Sequence, residues 1–65
     1  MNTETPMRQL IRAMHRKGAS EDLIVAVLTV LETEENFLKM LEEVSLMENP
    51  SETALLGEAI LIAEP

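Results

Sequence analysis

His15 is the only imidazole in the chain, and there is no cysteine. Nucleophilic catalysis requires an activated serine, cysteine, threonine or lysine within reach of a base that a third group orients. His15 lies between Met14 and Arg16 in a basic stretch, with no adjacent carboxylate to hold its ring, so it reads as an exposed histidine near a helix end. A structural zinc site needs about four nitrogen or sulfur ligands, and His15 with the single aspartate, Asp22, does not supply them. The paired carboxylates Glu34-Glu35 and Glu42-Glu43 are of the type used in acid–base work or for a hard cation. However, Glu35, Lys39 and Glu43 recur every four residues, the spacing of a solvated ladder on a helix. The chain has no calcium-loop pattern and no Glu-x-x-His pair of the di-iron kind. Gly18 and Gly57 are the only glycines, too few and too far apart to cradle phosphate. The expectation is a protein that is not an enzyme and carries no cofactor and no metal.

The clearest constellation is basic. Arg8, Arg12 and Arg16 recur every four residues and therefore share one face of a helix. Up to residue 19, four cations stand against Glu4 alone, a net of +3; from Ser20 onward eleven acids stand against Lys39, a net of −10. The stripe is expected to pair with acids of the body such as Glu42, Glu43 or Glu58, or else to meet an external acidic partner. With Phe37 as the one aromatic residue, unpaired bases would have no stacking platform.

The elements that must carry these residues follow from caps and periodicity. Thr5-Pro6 opens a helix, and Met7, Leu10, Ile11 and Met14 form its apolar stripe. Arg16 and Lys17 suit its C-terminal dipole, and Gly18 can close it. Ser20-Glu21-Asp22 starts a second helix, which is apolar from Leu23 to Leu31 except at Thr29 and so should be central. Its β-branched residues leave a buried strand as the alternative, for which only Ala59-Ile60-Leu61-Ile62 resembles a partner. Thr33-Glu34-Glu35 caps a third helix with Phe37, Met40, Leu41, Val44 and Met47 inward; only Glu32 separates it from the second, so one long bent helix is also open. Asn49-Pro50-Ser51-Glu52 marks the sharpest boundary, with Asn49 as cap and Glu52 reaching back to it. Leu55, Leu56, Ala59, Ile60 and Ala63 then point inward, leaving Leu61 and Ile62 for a second apolar surface. The fold class is all-α, a single domain over 1–65: a bundle of about four short helices at 6–17, 21–31, 34–47 and 50–63.

Gly18 to Ala26, followed by Thr33-Glu34-Glu35-Asn36, resembles the opening of a helix-turn-helix unit. It departs from that pattern in having no glycine in the turn and in placing Glu34, Glu35, Glu42 and Glu43 on the reading helix, where phosphates would repel them. The segment from Leu31 to Leu41, with Asn49-Pro50-Ser51-Glu52 leading into Gly57-Glu58-Ala59-Ile60, resembles short uncharacterised helical proteins of Firmicutes and their mobile elements. That resemblance covers about half the chain and implies a bacterial accessory protein, with no site residues attached.

At 65 residues one hydrophobic core rarely supplies more than about 3–5 kcal/mol, and small scaffolds recover stability through disulfides, a metal or association. Association is the route this composition leaves. The expected partners are a second copy, joined through apolar faces of the second and fourth helices, and an unidentified protein. The candidate contact residues are Arg8, Arg12, Arg16, Leu61 and Ile62. The alternative reading is an acidic body that imitates DNA and occupies a nucleic-acid-binding protein. Nucleic acid itself is not an expected partner on charge grounds, and no apolar run nears the roughly 18 residues that span a bilayer. Met1 to Pro6 lacks the basic-then-apolar layout of a signal peptide, so the expected compartment is the cytoplasm.

Overall fold

The structure, a computed structural model, describes residues 4–64; the first three residues, on which the signal-peptide reading partly rests, lie outside the described residues. Among the described residues four helices follow one another: α1 (Pro6–Arg16), α2 (Glu21–Leu31), α3 (Glu34–Leu46) and α4 (Glu52–Ala63). Among the described residues there is no strand, so the alternative of pairing 23–31 with 59–62 falls away: both segments are helical.

All four helices begin in the same way. Thr5, Ser20, Thr33 and Ser51 are extended, and their hydroxyl oxygens accept from the N–H of Arg8 (3.3 Å), Leu23 (3.2 Å), Asn36 (3.2 Å) and Ala54 (3.0 Å). Each satisfies a donor that would have no partner inside its helix, a contribution of about 1 kcal/mol. The helix ends differ. After Lys17 the chain turns through Gly18 at φ +85°, where the Gly18 N–H reaches the His15 carbonyl and the Ala19 N–H reaches that of Met14, both at 3.0 Å. This is a Schellman closure, and the buried Ala19 supplies its apolar contact.

The junction of α2 and α3 is resolved as two helices. Glu32 adopts φ +70°, ψ −40°, the Thr33 N–H bonds to the Leu31 carbonyl at 2.8 Å, and the path cannot continue as a helix. The Asn36 amide donates to the same carbonyl at 2.8 Å, fixing the corner.

Two expectations for α4 are corrected. It starts two residues later than the sequence suggests, because Ser51 caps it while Asn49 sits at φ +49°, a left-handed conformation that asparagine tolerates. Its inward side holds Leu55 and Ala59 buried, with Leu56 and Ile62 packed against the core, whereas Ile60 is 46% exposed. Ile60 and Ile62 thus exchange the places expected of them.

α1 packs chiefly on α3 and α2 on α4, and α3 against α4 joins the two pairs. Leu10, Met14, Val27, Leu31, Met40, Val44 and Leu55 are essentially sealed from solvent, and among the described residues no polar or charged side chain is buried. α2 gives Leu23, Ile24, Val27 and Leu31 to the core and leaves Val25 exposed, so it is one-sided rather than covered all round. No helix of the described residues is long and apolar enough to cross a membrane.

Candidate functional site

The five residues singled out by sequence do not form one site. Arg8, Arg12 and Arg16 lie in a row on the outer face of α1, all exposed. Leu61, on α4, is 63% exposed, while Ile62 leans on the core. Ile60 joins Leu61 as the apolar surface of α4 in place of Ile62.

The arginine row is not paired with the acidic body. Arg12 binds the carboxylate of Glu4, immediately before its own helix. Among the described residues Arg8 and Arg16 have no ion pair, and Glu42, Glu43 and Glu58 are likewise in none. The row borders three depressions, two of which are lined by more than one of its arginines. One, of about 440 Å³, is shallow and is built from α1 and Glu4 before it, with the apolar Met7 and Ile11 beside Arg8, Arg12 and His15. The other, of about 270 Å³, runs between α1 and α3, with Arg12, Ala13 and Arg16 facing Leu41 and Ser45.

His15 lies with Nε2 3.8 Å from Glu21 Oε2, both exposed. That is a carboxylate the sequence did not place there, at a distance beyond a hydrogen bond. Of the expected ladder, Lys39 pairs with Glu35 at 3.7 Å. Among the described residues no three His, Cys, Asp or Glu side chains gather as metal ligands.

Two long-range ties were not legible in the sequence. Lys17 Nζ donates to the Met47 carbonyl at 2.6 Å, so the end of α1 caps the end of α3. The Ser20 N–H donates to Glu52 Oε2 at 3.0 Å, joining the starts of α2 and α4. Hydrogen bonding from the Ser20 side chain, and secondly from its backbone N–H, holds the Glu52 carboxyl below its ordinary range.

The outer face of α3 was also missed. Glu34, Leu38 and Glu42 occur every four residues and are all exposed, with Leu38 at 51% and nearby Leu46 at 75%. The four-residue spacing is the signal in the sequence that marks this face. Compared with known proteins, the chain matches no family model, no curated protein sequence and no solved structure.

Proposed function

We propose that this chain is a non-enzymatic helical interaction module that works as a homodimer in the cytoplasm and engages another protein. The observation that carries the reading is the apolar surface left open by a small bundle. Val25, Leu38, Leu46 and Leu61 are each more than half exposed, and the core beneath them is of a size that gives only about 3–5 kcal/mol. Association covers that surface and adds stability by mass action. In this reading Ile60 and Leu61 of α4 form the surface offered to the second protein, and a bacterial accessory role fits the resemblance of the capped segments to short Firmicutes proteins. Sedimentation or light scattering at tens of micromolar should give twice the chain mass, with a melting temperature that rises with concentration. A monomer whose melting does not depend on concentration ends the reading.

A second reading, an acidic imitation of DNA, is favoured by the exposed Glu34, Glu35 and Glu42 on one side of α3. Binding of that kind weakens steeply with salt and is displaced by duplex DNA, whereas apolar docking through α4 is nearly indifferent to salt.

A further inference from the structure

We infer that the homodimer forms by charge-matched exchange, with the basic row of α1 in each copy lying on the acidic row of α3 in the other. This rests on the self-association proposed above and names its faces.

Three observations carry it. First, the two rows share one spacing: Arg8, Arg12 and Arg16 on α1, and Glu34, Leu38 and Glu42 on α3, each recurring every four residues and each exposed. Second, the complement is not used within the chain. Among the described residues Arg8, Arg16, Glu34 and Glu42 take part in no ion pair, and Arg12 meets only Glu4. Third, the rows lie on neighbouring helices that run in the same direction. The C-terminal ends of α1 and α3 meet at Lys17 and Met47, and further back Arg12 and Arg16 face Leu41 and Ser45 across the groove between the helices.

That arrangement has a geometric consequence. A two-fold axis along the groove brings α1 of one copy over α3 of its partner, and the reverse contact follows by symmetry. The interface is isologous and closed, the commonest form of homodimer. Leu38 comes to lie among the arginine stems, whose methylenes cover apolar surface while their charged heads reach carboxylates. The opposite charges oppose alternative pairings of α1 on α1 or α3 on α3, where like charges would meet.

The test uses two charge reversals in the full chain. One variant carries Arg8→Glu and Arg16→Glu, leaving the Arg12 pair with Glu4 intact; the other carries Glu34→Lys and Glu42→Lys. Each alone sets like charges together and should raise the self-dissociation constant at least about tenfold. An equimolar mixture should restore association, because both contacts are then complementary again, and the restored complex should weaken as salt is added. A control with Glu58→Lys and Glu64→Lys, within and at the end of α4 and of the same net charge as the second variant, should not rescue the first. Circular dichroism checks that each variant is folded, and if the double lysine variant is not, Glu42→Lys alone serves in its place. Persistent dimers of both reversed variants overturn this assignment and leave self-association standing. Failure of the mixture to recover, or rescue by the control, also overturns it. A parent chain that stays monomeric overturns both proposals.

Discussion

Lys17 and Met47, thirty positions apart, are joined by a 2.6 Å hydrogen bond from the lysine ammonium to the methionine backbone carbonyl. The cation ends α1 and at the same time satisfies a carbonyl at the end of α3, where the helix dipole is negative. Because the contact is partly buried, its loss leaves an acceptor poorly paired. Lys17→Met, which keeps most of the aliphatic stem, should lower stability by about 1–2 kcal/mol, a fall in melting temperature of several degrees for a chain this short. Urea denaturation with the midpoint of the parent would show that the bond contributes nothing.

The other long-range tie is sensitive to pH. The Glu52 carboxyl is held below its ordinary range in the folded chain by hydrogen bonds from Ser20 and returns to that range on unfolding. Its contribution to stability is therefore fully present above the ordinary glutamate range and is lost as pH falls through that range to the lowered folded value. Glu52→Gln should be less stable than the parent at neutral pH, with the gap closing on acidification over that window. Denaturation curves of both proteins at a series of acidic pH values would show it. A gap that is constant with pH would mean that Glu52 acts only by shape.

How much of this was legible in the sequence depended on range. The Thr5, Ser20 and Thr33 caps, the Asn49-Pro50 boundary and the inward stripes of α1 and α3 are local features, and they placed the helices to within two residues. α4 was harder, since Leu55, Leu56, Ile60, Leu61 and Ile62 surround the helix with apolar groups and periodicity alone cannot orient such a helix. The tie from Ser20 to Glu52 and the failure of Arg8 and Arg16 to find body acids depend on how the helices are set side by side. Sequence spacing carries no such information. Charge asymmetry is a property of the sequence; that the arginine row of α1 lies beside Glu34 and Glu42 on a parallel neighbouring helix is a property of the fold.

Glu32 is a place where local preference gives way to topology. At φ +70°, ψ −40° Glu32 holds the strained, positive-φ form of the γ-turn, which costs an L-residue about 1–3 kcal/mol. The bond from the Thr33 N–H to Leu31 and the brace from Asn36 hold it there. Glu32→Gly removes that strain and loses part of the gain to the greater freedom of glycine in the unfolded chain. The net expectation is a stabilisation of about 0.5–1 kcal/mol, read from the urea midpoint. A destabilised glycine variant would show that the Glu32 side chain has a role of its own.

Leu61 and Ile62 are neighbours in sequence with opposite surroundings, so the same substitution separates them. Leu61 projects into solvent and Ile62 packs on the core. Leu61→Asp should leave the melting temperature close to that of the parent, within about 0.5 kcal/mol. Ile62→Asp puts a carboxylate against apolar side chains and should cost about 1–3 kcal/mol. Equal losses at both positions would contradict the orientation of α4 described above.

Gly57 gives the last prediction, because nothing inside the chain accounts for it. It occupies the middle of α4, has no positive φ, and a Cβ built on it meets no atom within 4 Å beyond its chain neighbours and the adjacent backbone of its own helix. Glycine in an exposed helix interior is about 1 kcal/mol worse than alanine, and here alanine would bring no clash to set against that gain. Gly57→Ala should therefore stabilise the isolated chain by about 0.5–1 kcal/mol, measured at a concentration low enough to keep it monomeric. The dimer proposed on α1 and α3 would not involve this helix, so the self-dissociation constant should not change. An alanine variant that is more stable as a monomer but associates more weakly would mean that a second copy approaches α4 closely at Gly57. The interface would then have to be moved to the exposed side of α4 beside Ile60 and Leu61.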